Sequence, residues 1–255
     1  MKKPYMLALV STLLFALTIL VNALANILPI NGLNTGEVSA LYPSLFTPAG
    51  LTFSIWSVIY LLLLGFIVWH WLKPDSFAIL EISRLFWLTC ILNVSWILAW
   101  HYLLTAISVT IMLLLLLTLT QLYLKIKKVA LLSLAEKWLV KLPFTLYFAW
   151  ISVASIANVS AYLVSVNWDG GFFTPLIWTI LMMGIAVVLA AWISMRYREP
   201  GFALVVVWAL FGIFWRHQED GNASLTMVSL GYMLILVAWV VLVLIKIMNN
   251  KKVTV

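Results

Sequence analysis

Trp56 and Tyr60 stand one helical turn apart near the start of an apolar stretch, and the same step of three or four residues recurs elsewhere in the chain. It links Asn93, Trp96 and Trp100; it links Tyr147, Trp150, Ala154 and Asn158; and it links Asn22 and Asn26. Residues so spaced share one face of an α-helix. Aromatic faces carrying a few amides suit a flat, apolar ligand that needs one or two hydrogen bonds. The competing reading is structural: tryptophans form belts at the membrane interface and asparagines bond helix to helix. That reading is adopted for Trp69, Trp71, Trp100, Trp138, Trp168 and Trp215, all near the ends of apolar runs, whereas for Trp56, Trp96 and Trp150 both readings stay open. No acid, base, nucleophile or metal set accompanies these faces. The eight carboxylates lie in loops or near helix ends, and His70, His101 and His217 have no ligand partner nearby in sequence. His70, between Trp69 and Trp71, reads as an interfacial anchor.

The elements that must hold such faces are set by composition. Of 255 residues, 65% are hydrophobic and 9% charged, whereas a soluble domain is about half apolar and a quarter charged. The chain is therefore expected to be an all-α integral membrane protein whose environment is the lipid bilayer. The net charge of +7 comes from small basic groups between apolar segments, with no basic stripe or recognition motif, which excludes a nucleic-acid partner. The lone Cys90 provides no disulfide framework.

Eight spans are expected, at residues 6–28, 51–72, 77–100, 103–124, 142–166, 174–195, 202–215 and 225–247, each judged against the roughly 20 apolar residues that cross a bilayer. The first reads as an uncleaved signal-anchor. Spans three and four, separated only by His101 and Tyr102, form an antiparallel hairpin, and residues 125–141 form the longest charged linker. Residues 202–215 are short for a span, but the positive-inside rule requires them to cross. With eight crossings, fourteen Lys and Arg residues (2, 3, 73, 84, 125, 127, 128, 137, 141, 196, 198, 246, 251, 252) are cytoplasmic and only Arg216 is external. Both termini are then cytoplasmic, as in a multi-pass protein of a bacterial cell membrane. The proline-stiffened stretch from Pro43 to Gly50 faces outward and feeds the Trp56 helix, with Thr47-Pro48 expected to cap it.

Three motifs carry a resemblance. Pro43, Ser44, Phe46, Thr47, Pro48, Ala49 and Gly50, followed by Trp56 and Tyr60, are similar to the Pro-Ser-Trp-Thr-Pro-Pro-Gly loop and Trp-x-x-x-Tyr helix of the TspO/MBR family. These are the translocator or peripheral-benzodiazepine-receptor type proteins, also called tryptophan-rich sensory proteins. Leu92-Asn93-Val94-Ser95-Trp96 resembles the family's third helix, and Pro143 to Asn158 its fifth. The resemblance covers residues 5–165 and implies a five-helix bundle that binds porphyrins and other tetrapyrroles, benzodiazepine-type drugs or sterols. It implies that Trp56, Tyr60, Asn93, Trp96, Trp150, Ala154 and Asn158 line the pocket, and that the loop containing Pro43, Phe46, Pro48 and Gly50 is its lid. The chain departs from the pattern: Phe46 replaces a tryptophan, Leu45 is inserted, Ala49 replaces a proline, and Glu37-Val38 stands where the family has Trp-Tyr. The last of these removes the tryptophan linked to porphyrin degradation, so no enzymatic activity is expected.

The expected organisation is a ligand-binding bundle over residues 1–166 and three additional spans over 167–255, which buttress the bundle or make an oligomer interface such as a homodimer's. The expected function is a membrane receptor or sensor for a flat hydrophobic small molecule, with porphyrin or haem as candidate ligand and no required cofactor or metal. The alternative is a transporter for such a compound.

Overall fold

The computed structural model describes residues 3–28, 30–129, 133–168 and 170–252. Lys2, Pro29 and Asp169, all within segments assigned from the sequence, lie outside them. Among the described residues all regular structure is helical, and eight helices are long and apolar enough to cross a membrane. These are α1 (Lys3–Ile27), α3 (Ile55–Leu72), α4 (Phe77–His101), α5 (Thr105–Lys128), α7 (Leu142–Ser165), α8 (Pro175–Tyr197), α9 (Pro200–Glu219) and α10 (Ala223–Lys252). Two short helices, α2 (Thr35–Ala40) and α6 (Leu134–Glu136), lie in connections. The protein is an all-α, multi-pass integral membrane protein.

Two local expectations are corrected. Thr47-Pro48 does not cap the Trp56 helix: a 3₁₀ turn, Gly50–Ser54, intervenes before α3 begins at Ile55. The charged linker is shorter than expected, because α5 runs to Lys128 and the chain is helical again from Leu134 through a π-helical turn, Lys137–Lys141, into α7. Ser133 and Glu136 form a capping box that starts this segment, each satisfying a backbone N–H that the first helical turn leaves without a partner. Glu81 of α4 meets Lys125 of α5 at 3.0 Å. That exposed pair decorates the expected α4–α5 hairpin and contributes little to its stability.

The chain packs as two compact units. The first comprises Met1–Pro43 and Ile55–Ile151. Its centre is a phenylalanine cluster: Phe66 of α3 lies 5.0 Å from both Phe86 of α4 and Phe144 of α7, and Phe15 of α1 lies 6.4 Å from Phe86. Edge-to-face rings at these distances add to the area they bury. Polar stitches join α1 to its neighbours, Trp87 Nε1 donating to Ser11 Oγ at 2.8 Å and Trp71 Nε1 to Thr12 Oγ1 at 2.9 Å. His70 follows Phe66 by one turn on this inner face. Its side chain is fully buried, 5.8 Å from the Phe66 ring, so the interfacial-anchor reading is corrected and Trp71 takes that position.

The second unit comprises Ser44–Ser54 and Ser152–Val255. Helix α8 stops sharply at Arg198, which is left-handed (φ 57°), and α9 starts two residues later with Pro200 in its first turn. The α9 helix is 20 residues long, about 30 Å at 1.5 Å per residue, enough to cross. The loop segment belongs to this unit because it packs on α9. Ala49 N–H donates to the Gly212 carbonyl at 3.0 Å, and Trp208 Nε1 donates to the Thr52 carbonyl at 2.9 Å. Gly212 has no alternative residue here: a Cβ would overlap Thr52 Oγ1 and come within 2.9 Å of Pro48 Cβ. Gly212→Ala is therefore expected to destabilise the protein by about 1–3 kcal/mol through overpacking. Gly231 of α10 has nothing within 4 Å of the same position, so Gly231→Ala should be neutral or stabilising by up to about 1 kcal/mol, as for an open helix-interior glycine. Thermal unfolding of the two variants in one detergent checks the difference, and equal melting temperatures would contradict the close approach.

Candidate ligand-binding aromatic cluster and its loop

In the first unit, α3, α4 and α7 bring the predicted aromatic faces together. Trp56 stacks on Tyr60 at 5.3 Å, meets Tyr147 edge-on at 5.7 Å and meets Trp150 edge-on at 6.3 Å. The Trp56 indole is thus the hub of a four-ring cluster, and Tyr147 and Trp150 are almost fully buried. Helical periodicity supplied each face; the contact between faces comes from packing.

A chain of amides and a hydroxyl runs beside these rings. Asn22 Nδ2 donates to Asn93 Oδ1 at 2.8 Å, and Asn93 Nδ2 donates to the Tyr147 hydroxyl at 3.2 Å. Asn93 is 1% exposed, and a buried amide of this kind must have its groups paired. One consequence is directional. With its oxygen taken by Asn22 and its amide by Tyr147, Asn93 sets Tyr147 as an acceptor, leaving the Tyr147 proton free to be donated. Asn22 was noticed in the sequence only as half of a pair with Asn26; Asn26 instead donates back to the Asn22 carbonyl and is exposed.

Trp96 does not join the Trp56 hub through a ring contact seen here. It stacks on Trp100 at 6.1 Å, and Trp100 in turn meets Tyr42 at 6.0 Å. The Trp96 indole N–H is buried without a hydrogen-bond partner among the described residues. Trp100 is itself only 6% exposed and donates to the Thr35 carbonyl at 3.3 Å, so its assignment to an interfacial belt is corrected: it holds the first loop. Ala154 and Asn158 continue the Trp150 face along α7 but fall in the second unit.

The first loop is held in two parts. Its leading part, in the first unit, contains α2, whose Asn34 side chain accepts from Gly36 and Glu37 N–H while Glu37 Oε2 accepts from Asn34 N–H at 2.7 Å. Glu37, which replaces an aromatic residue of the family pattern, is therefore the N3 partner of a capping box. His101 at the end of α4 ties this part down: Nδ1 lies 3.2 Å from the Ile30 carbonyl and Nε2 lies 3.0 Å from Thr35 Oγ1. A ring nitrogen facing a carbonyl must carry a proton, which makes Nδ1 the donor. The Asn31 side chain adds a bond to the His101 carbonyl at 3.1 Å.

The trailing part, in the second unit, is held by α9. Arg216 donates from one guanidinium nitrogen to the carbonyls of Ser44 and Thr47, both at 2.9 Å, and its Nε lies 3.5 Å from Asp220. His217 Nε2 donates to the Leu45 carbonyl at 2.8 Å, and the His217 side chain is 1% exposed. Phe46 and Pro48 are buried here, whereas Pro43 and Gly50 are exposed. Arg216, His217, Gly212 and His101 were not singled out by the sequence reading as residues that hold the loop. The one signal available was the isolation of Arg216 as the basic residue on the wrong side of the charge pattern. No group of three His, Cys, Asp or Glu side chains able to hold a metal occurs among the described residues.

Residues 8–245 match the family described as TSPO-like protein, whereas no curated protein and no solved structure matches the chain. The match runs from α1 into α10, past the residue-165 limit of the motif resemblance, so α8, α9 and α10 lie inside the family pattern. An all-helical membrane bundle, a tryptophan-centred cluster and a family match over nearly the whole length converge: the chain belongs to the TSPO-like family.

Proposed function

We propose that this protein is a membrane receptor or sensor that binds a flat, hydrophobic small molecule of tetrapyrrole type at the Trp56 cluster. The observation that carries the reading is the meeting of Trp56, Tyr60, Tyr147 and Trp150 beside the Asn22–Asn93–Tyr147 hydrogen-bond chain. Indole and phenol rings supply stacking area, and the Tyr147 proton and the Trp96 N–H supply donors. Ala154 and Asn158 extend the proposed lining along α7, and Pro43, Phe46, Pro48 and Gly50 the proposed lid; both assignments rest on the family resemblance. The fourteen-to-one partition of basic residues orients the protein with both termini in the cytoplasm and the Pro43 loop outside.

A receptor is favoured over a transporter because the spanning helices run unbroken. Alternating access commonly relies on discontinuous helices near the membrane midplane. Binding without turnover is the matching chemistry, since the groups around Trp56 are rings, amides and hydroxyls.

Tryptophan-fluorescence titration of the purified protein with protoporphyrin IX tests this. Saturable quenching is expected for the wild type, with Trp56→Ala and Trp150→Ala each weakening it by about tenfold, in line with the loss of one stacked ring. Quenching that does not saturate, or that both variants retain unchanged, would contradict the site.

A further inference from the structure

A second site lies in the second unit, between α8 and α10. The two helices run side by side in a fixed register: the Tyr232 hydroxyl lies 3.1 Å from where a Gly184 Cβ would stand, and seven residues later Trp239 Nε1 donates to the Ala191 carbonyl at 3.0 Å. A seven-residue step brings a helix back to the same face, so Lys246, seven residues past Trp239, stands at the level of the α8 C-terminus, where Arg198 is the left-handed cap.

Beside this seam runs an apolar groove of about 610 Å³, floored by Gly184 and lined by Leu181, Ile185, Val188 and Trp192 of α8 and Tyr232 of α10. Leu181, Ile185, Val188 and Trp192 advance by steps of four, three and four, and a further step of four reaches Arg196 on the same stripe. From Leu181 to Trp192 the helix rises about 16 Å, close to one leaflet of a hydrocarbon core roughly 30 Å thick. The groove therefore has the length of an acyl chain in one leaflet and ends where a headgroup would sit.

That end is built for an anion. Arg196 lies 5.5 Å from the Tyr197 ring centroid, and Trp192, 57% exposed, meets Tyr197 edge-on at 6.1 Å. Arg196, Arg198 and Lys246 are all exposed at this end. The nearby carboxylate, Glu199, is buried. Aromatic rings and basic side chains at one depth are the pattern of a headgroup contact.

We propose that this groove binds one anionic phospholipid, its acyl chain lying over Gly184 and its phosphate held by Arg196, Arg198 and Lys246. The site is separate from the Trp56 cluster and does not rest on the receptor reading. Under the positive-inside orientation it draws on the cytoplasmic leaflet. The lipid lies along the groove beside the α8–α10 seam.

Native mass spectrometry tests it, using the full chain released from micelles that contain equal phosphatidylglycerol and phosphatidylcholine with identical acyl chains. One phosphatidylglycerol retained per chain is expected, preferred by about tenfold or more over phosphatidylcholine. Arg196→Gln with Lys246→Gln, both at exposed positions, should abolish the preference, and Val188→Trp, which fills the groove, should abolish retention while leaving the helical circular dichroism unchanged. Equal retention of the two lipids, a preference that survives the charge variant, or a dimer mass that Val188→Trp disperses would each overturn the proposal, the last by showing that a second copy of the chain occupies the groove.

Discussion

Backbone amides and carbonyls that belong to neither helix nor strand must find partners, and a membrane protein has few side chains with which to provide them. Residues 44–54 pose this problem in concentrated form, because prolines at 43 and 48 keep the segment out of a regular helix. Helix α9 solves it. Arg216 and His217 take three carbonyls, Trp208 takes a fourth, and the Gly212 carbonyl accepts an N–H from the loop. Much else follows from that arrangement. Gly212 must lack a side chain so that Thr52 can approach, and α9 must end in polar residues that would otherwise have no place in a span.

The same logic governs the leading part of the loop, where His101 and Trp100 at the end of α4 take the place of Arg216 and His217. Each part is thus tied to the helix end nearest to it in its own unit. The 3₁₀ turn that closes the trailing part ends at Ser54, two residues before Trp56 in the chain. Helix α9, beyond residue 165, therefore has a definite structural task in its own unit, consistent with a family match that extends through it.

The fold was legible in the sequence to the extent that hydropathy decides it. All eight spans were found because runs of Leu, Ile, Val and Phe leave no other solvent but lipid. The short apolar run at 202–215 proves to be part of a 20-residue helix, long and apolar enough to cross. The aromatic site was legible in part. Periodicity placed Trp56 with Tyr60, Trp96 with Trp100 and Tyr147 with Trp150, but spacing cannot say which faces meet, and the rings that meet Trp56 are Tyr60, Tyr147 and Trp150. The histidines were illegible for a simpler reason: their partners are backbone carbonyls, which every residue possesses and which leave no mark in a sequence. Charge at Glu37 looked like the loss of an aromatic residue, and only the capping geometry revealed what it does.

The central claim is that the trailing part of the first loop owes its order to α9. Amide hydrogen exchange read by mass spectrometry on Arg216→Gln combined with His217→Ala tests it most directly. Loss of these charge-assisted and neutral hydrogen bonds should speed exchange in residues 44–54 by tenfold or more, since each bond is worth about 1 kcal/mol or above, while residues 30–42, held by His101, exchange as in the wild type. Unchanged exchange in residues 44–54, or equal acceleration in both parts of the loop, would contradict it.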